Sequence, residues 1–224
     1  MALYSKVPER ASVLSFPRFL VVALCLLPLT GCIQFAANLM HVVSGPQVPA
    51  EFKGLDSKKV AVVAIDESGI CNDEVTIRLA GLLRGVLSGK LKKATLVTHE
   101  EVEGWLHGKS SREQDFVEIG KGVKADYVIA VAIQNLKLKD GQTLYRGRSD
   151  IEVTVWDVNE AKIAYRKALP EYTYPVMAGQ ATTETDEDKF RRVYLMNVAD
   201  KVGRFFYAHD FGEDVAIDAT ILNY

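Results

Sequence analysis

Few side chains in this 224-residue sequence are suited to metal or nucleophilic chemistry: four histidines and three cysteines. His99-Glu100-Glu101-Val102-Glu103 has the opening of a zinc-protease helix. That chemistry needs a second histidine four residues on, so that both imidazoles share one helix face, and position 103 is Glu. His99 and His107 stand two helical turns apart and could share a face. They have no cysteine nearby and only generic acids, so a solvated helix face is expected and no metal is assigned. His41 and His209 stand alone. Cys71 lies in Gly69-Ile-Cys71-Asn72-Asp73, beside a helix start that would stabilise a thiolate. A nucleophile also needs a base, and none is near in sequence. An inert thiol is expected, with a reactive or intermolecular-disulfide role as the alternative. Asp66-Glu67-Ser68-Gly69 follows the same strand, at the end where α/β sheets bind ligands. The loop lacks a glycine-rich cradle and its two acids would repel phosphate. A small-ligand site at Asp66–Asp73 therefore rests on fold analogy alone. Aromatic residues are enriched at interfaces. Trp156, Tyr172 and Tyr174 are read as a possible interaction surface, and Trp105 equally as core.

The elements that must position these residues follow from periodicity. Val60 to Ile65 is a continuous apolar, mostly β-branched run, as in a strand buried on both faces. Asp73 can cap a helix whose stripe is Val75, Leu79, Leu82, Leu83 and Val86. Ala94 to Thr98 is a short strand, Glu100 to Leu106 and Gln114 to Gly122 are short helices, and Asp126 to Gln134 is a second apolar strand. Asp140-Gly141 favours a hairpin turn. From Tyr145 the chain alternates: Tyr145, Gly147, Ser149, Ile151, Val153 and Val155 face one way, and Arg146, Arg148, Asp150, Glu152, Thr154 and Trp156 the other. A third strand is expected over Lys162 to Ala168, with Pro170 and Pro175 ending the pattern. Thr185 and Asp188 suggest a capping box for a C-terminal amphipathic helix with Leu195, Val198, Val202 and Phe205 on its buried side. The fold class is α/β (α+β): a mixed sheet with a βαβ-like start, then an antiparallel meander, with helices packed on it.

The amino-terminal segment has a different composition. Residues 1–18 carry Lys6, Arg10 and Arg18 against Glu9, Phe19 to Leu29 is apolar, and small residues precede Cys32. This is the anatomy of a signal peptide. Leu29-Thr30-Gly31-Cys32 resembles the lipobox of bacterial lipoproteins. That resemblance implies cleavage before Cys32 and a diacylglycerol on its thiol, a covalent lipid being the only cofactor expected. Burial of acyl chains yields about 0.8 kcal/mol per CH₂, so two or three chains make a durable tether. The alternative is an uncleaved transmembrane anchor. Phe19 to Met40 holds no charge and is long enough, although Pro28, Gly31, Gln34 and Asn38 interrupt it. Either way the domain is exported. Ile33 stands where an Asp would retain an enterobacterial lipoprotein at the inner membrane, which favours the outer membrane, periplasmic side. The expected organisation is a signal peptide over 1–31, lipidated Cys and tether over 32–57, one α/β domain over 58–210 and a tail over 211–224. Cys25 would leave with the leader, so the mature domain keeps only Cys71 and relies on its core.

With a net charge of −2 and a pI near 6.1, the chain lacks the basic face that nucleic-acid binding requires. Residues 58–168 resemble the α/β domain shared by the curli-secretion lipoprotein CsgG and the TolB amino-terminal domain. The resemblance is carried by Lys59-Val-Ala-Val-Val63, Ala94-Thr-Leu-Val-Thr98, Gly122-Val-Lys-Ala-Asp126-Tyr-Val-Ile-Ala130 and Ile151-Glu-Val-Thr-Val-Trp-Asp157-Val-Asn159. Ala130 stands for a frequent Gly, and Glu160-Ala161 for the usual Thr-Gly. The resemblance implies non-enzymatic envelope work, assembly or scaffolding, through envelope proteins or self-association. A pore of the CsgG kind is not expected. The hairpins of 134–168 would present Arg146, Arg148, Asp150 and Glu152 to lipid, at a few kcal/mol per charge near the midplane. Two alternatives stay open: an envelope hydrolase or thiol enzyme using the Cys71 loop, and a small-solute-binding lipoprotein. The second is disfavoured by a single small domain where two closing lobes are usual.

Overall fold

The computed structural model describes residues 47–67, 73–107 and 115–212. The leader, Cys32 and the lipobox residues Leu29, Thr30 and Gly31 lie outside them, as do Cys71 and residues 213–224. Among the described residues no helix is long and apolar enough to cross a membrane.

The described residues form eight strands and four helices. In chain order these are β1 (Gln47–Val48), β2 (Lys59–Ile65), α1 (Glu74–Lys90), β3 (Thr95–Leu96), α2 (His99–His107), α3 (Phe116–Gly122), β4 (Tyr127–Asp140), β5 (Leu144–Asp157), β6 (Lys162–Tyr174), β7 (Gln180–Ala181), α4 (Glu187–Gly203) and β8 (His209–Asp210). The main sheet runs β3-β2-β4-β5-β6, with β7 on β5. β2 is parallel to both β3 and β4, and β4, β5 and β6 are antiparallel. Because β3 and β4 flank β2 on opposite sides, crossovers of one hand place α1 on one face of the sheet and α2 with α3 on the other. The mixed α/β class expected from the sequence is what the fold shows.

Strand alternation divides the core in two. Val60, Val62, Ala64, Ile129, Val131, Ile151, Val153 and Val155 point to the layer of α1 and α4. Ala61, Val63 and Val128 point to the layer of α2 and α3, with Val102 and Ile119 opposite. The second layer covers only the end of the sheet near β3. Farther along β5 the same face is open, and Arg148 and Glu152 are exposed there.

Local chemistry sets the helix starts. The Asp73 carboxylate accepts from the Thr76 backbone N–H at 2.7 Å, and the Asp73 N–H donates back to Thr76 Oγ1 at 3.2 Å, a capping box. The same reciprocity joins Thr98 and Glu101 at the start of α2. α4 departs from expectation. Its cap is Asp186, which accepts from Lys189 N–H at 2.7 Å, and not the Thr185–Asp188 pair.

One further expectation is corrected. β6 does not stop at Ala168 but continues through Pro170 to Tyr174. It pairs only with β5 among the described residues, and an edge strand tolerates a residue that cannot donate to the ladder. Ahead of β2, residues 47–57 pack onto the domain. β1 pairs with β8, Phe52 N–H donates to Phe205 C=O at 2.9 Å, and Leu55 is 2% exposed. Residues 47–57, read from sequence as tether, are part of the fold. At the β5–β6 turn Ala161 holds φ of +50°, the conformation that glycine adopts without strain.

Candidate interaction surface

The aromatic residues singled out in the sequence do not come together. Trp156 is half-buried in the α2–α3 layer, its ring centroid 6.0 Å from that of Phe116. The end of β5 that carries Trp156 lies under α2 and α3, so this position is core margin and not open surface. Its indole N–H is buried without a hydrogen-bond partner among the described residues. Tyr174 is 4% exposed and belongs to the main core, because the β-bulge in β6 turns it inward. Tyr172 is half-buried over α4. Of the three, Trp156 and Tyr172 are half-buried and Tyr174 is buried.

The histidine and acid candidates are also distributed. His99 Nε2 lies 3.0 Å from Glu103 Oε1 one turn on, a half-buried pairing along one helix face. His209 is buried beside Tyr207. Among the described residues no group of three His, Cys, Asp or Glu could hold a metal. Glu67 accepts from the Asn135 N–H, tying the loop after β2 to the sheet.

Two acid-centred clusters organise the sheet. Asp150 on β5 sits between bulges in both neighbours, at Asn135 (φ +54°) and Glu171 (φ +49°). Its carboxylate accepts from Glu171 N–H at 2.8 Å and Asn135 Nδ2 at 2.7 Å. The bond from the Glu171 backbone, then that from Asn135, holds its pKa below the usual carboxylate range. Glu51 accepts from the Tyr165 hydroxyl at 2.8 Å and from Lys167 Nζ at 3.2 Å. Burial raises its pKa, but those bonds and the nearby lysine charges outweigh it, and the net shift is downward. Desolvation and the Glu51 bond push the Tyr165 phenol well up. In both clusters the carboxylate is held by partners from the sheet.

What the surface does present is apolar. A groove runs between the outer sides of α1 and α4, floored by Leu82, Val193 and Met196 and edged by Arg78, Lys189 and Arg192. Lys189 and Val193 also border a hollow under the loop after β6, where Pro175, Ala178 and Phe190 line the wall. Met196 is 39% exposed, Val176 41% and Met177 86%. Arg146 Nη2 donates to the Val176 carbonyl at 2.7 Å and holds that loop. Leu144, 40% exposed, lies against Gly179. Four of the six large apolar side chains exposed among the described residues thus gather along this loop and the adjoining groove. The groove is not visible in the sequence, because spacing groups Leu82 with the apolar stripe of α1. The stripe that is buried is Leu79, Leu83 and Leu87, and Leu82 turns to its margin.

No family model matches the chain, and no curated protein matches it. Solved structures with a similar arrangement include the PelC dodecamer from Paraburkholderia phytofirmans, at 10% identity over 72% of this chain and 97% of that one, with a TM-score of 0.44. Lipoprotein GNA1162 from Neisseria meningitidis matches at 10% identity over 64% and 96%, TM-score 0.42. The LpoB C-terminal domain from Salmonella enterica matches at 14% identity over 53% and 87%, TM-score 0.35. At these values the likeness carries no argument about function.

Proposed function

We propose that the chain is a membrane-anchored cell-envelope lipoprotein whose domain is a non-enzymatic binding or assembly module for envelope proteins or for copies of itself. The observation that carries the binding role is the exposure of Leu144, Val176, Met177 and Met196 along the loop after β6 and the adjoining groove. Contiguous exposed apolar surface marks interaction sites. The anchor is supported by the basic and apolar leader ending in Leu29-Thr30-Gly31-Cys32, and the envelope role by the CsgG- and TolB-like pattern of residues 58–168. Ile33 favours the outer membrane, periplasmic side.

Intact mass of the membrane-extracted protein tests the anchor. A chain beginning at Cys32 and carrying acyl mass is expected, with the acyl mass lost in Cys32→Ala. An uncleaved chain without lipid makes 19–40 a transmembrane segment instead. Sedimentation and chemical crosslinking of the extracted protein test the module. A defined oligomer or a stoichiometric partner is expected, and a strict monomer with no crosslinked partner overturns the reading.

A further inference from the structure

Lysines collect at one end of the domain. α1 and α4 both run toward the end where the chain enters: Gly203 lies against Val86 near the close of each helix, and Phe52 N–H reaches the Phe205 carbonyl. A shallow hollow there is lined by Pro49, Lys53, Leu55, Asp56, Leu91 and Tyr207. Lys90 stands over the Tyr207 ring at 5.3 Å, Lys93 lies 3.8 Å from Asp56, and Lys92 is exposed beside Leu91. Lys58 is tied to the same place. Its carbonyl accepts from Thr95 N–H at 2.9 Å, and Ser57 N–H donates to the Lys93 carbonyl at 3.2 Å. The nearby acids are engaged: Asp56 by Lys93, Glu51 by Tyr165 and Lys167, and Asp210 by the Gly212 N–H at 3.1 Å. The opposite end, where α4 begins, carries Glu184, Asp186, Glu187 and Asp188 beside Lys139 and Arg191. The whole-chain charge of −2 conceals this arrangement, and a basic face that the total argued against is present at one end.

Helix ends alone do not account for these lysines. A helix C-terminus favours a cation, and Lys90 and Lys201 stand in the last turns of α1 and α4. Lys53, Lys58, Lys92 and Lys93 lie outside both helices. We propose that this end of the domain rests on the anionic phospholipid headgroups of the membrane that holds the chain. The inference rests on reading the chain as membrane-anchored. Chain length argues for this occupant. Residues 33–46 separate Cys32 from Gln47 and span at most about 50 Å when fully extended. β5 alone is about 45 Å long at about 3.3 Å per residue. Bringing the opposite end to the bilayer would use nearly the whole tether to run past the domain, whereas the lysines stand where the chain enters. An anionic leaflet attracts lysines held within a Debye length of its surface, so this end is the one that its field turns toward the membrane.

The test is lysine footprinting of the membrane-extracted full chain. It is reconstituted in vesicles of phosphatidylcholine alone, or of phosphatidylcholine and phosphatidylglycerol at about three to one. Reductive methylation with formaldehyde, an uncharged reagent, is read by mass spectrometry at each lysine. Lys137, exposed on β4 near Glu187 and Arg191 at the opposite end, is the internal reference. Phosphatidylglycerol is expected to slow Lys53, Lys92 and Lys93 about fivefold relative to Lys137. Salt at about 1 M, where the Debye length is about 3 Å, is expected to abolish the difference. Lys53→Glu with Lys92→Glu is expected to restore the rates of Lys90 and Lys93, with unchanged circular dichroism and melting to exclude misfolding. Equal rates in the two vesicles, or full protection in the double variant, overturns the proposal. Protection that requires co-extracted envelope proteins and not phosphatidylglycerol assigns this end to an acidic partner, and also overturns it. Intact mass of the same sample separates the two readings. Acyl mass with equal lysine rates leaves the anchor standing and removes the lipid-facing end. An uncleaved chain without lipid removes the lipoprotein reading, and the footprint still decides this end.

Discussion

The Tyr194 phenol joins the carboxyl-terminal helix to two strands at once. The side chain is fully buried. Its hydroxyl donates to the Tyr172 carbonyl at 3.0 Å and receives the Ser149 hydroxyl at 2.7 Å. Desolvation pushes its pKa well up, so it stays a neutral donor throughout the range in which the protein is handled. Its ring occupies the space left by Gly147, where an added Cβ would lie 2.0 Å from Tyr194 Cδ2. Only glycine fits that position on β5 without displacing the helix. Tyr194→Phe keeps the ring and removes the bridge, leaving the Ser149 hydroxyl buried without this partner. The expected loss is about 1–3 kcal/mol, read as a lower urea midpoint with an unchanged slope. An unchanged midpoint would show that the bridge contributes nothing net.

At the scale of elements, the sheet bends where Asp150 secures two bulges. The bonds from Glu171 N–H and Asn135 Nδ2 favour its ionised form, so its folded pKa lies below the unfolded value. The sign follows: the stabilisation is present above the unfolded carboxylate pKa of about 3.9 and is lost as pH falls through the lower folded value. Asp150→Asn should therefore melt below wild type at neutral pH, and the gap should close in acid below about pH 4. A gap independent of pH would assign the effect to shape instead of charge. The strands themselves were legible in the sequence, because β2 and β5 display their burial as an apolar run and as strict alternation. The Asp73 cap was legible for the same local reason. The bulges were not, since Asn135 and Glu171 are defined by register against β5 and not by their neighbours in sequence. The continuation of β6 past Pro170 was hidden too, because only its edge position makes proline acceptable there. The groove escaped because α1 and α4 are far apart in the chain, and a half-buried Leu82 differs from a buried Leu83 only once the second helix is in place.

For the whole molecule, the segment that precedes β2 carries the most information. Residues 47–57 show no apolar periodicity, and Ser44-Gly45-Pro46 with Pro49 reads as linker. Long-range contacts hold the segment instead. Phe52 packs edge-on to Tyr127 and Phe206, with centroids 5.9 and 6.4 Å apart, and against Tyr165 at 5.7 Å. Glu51 bonds Tyr165 and Lys167 on β6, and Leu55 fills the core between α1 and the end of α4. The chain thus enters the domain by clasping the aromatic cluster that closes its carboxyl-terminal helix. Removing a buried Leu or Phe side chain costs about 2–5 kcal/mol each, against a total stability of about 5–15 kcal/mol for an ordinary domain. A chain beginning at Gln47 should melt cooperatively, whereas one beginning at Lys58 should lose several kcal/mol and expose Phe205 and Phe206 to solvent. Thermal unfolding and hydrogen exchange of the two chains check this. Equal melting temperatures, with equal protection in α4, would return residues 47–57 to the tether and move the domain boundary back to Lys58.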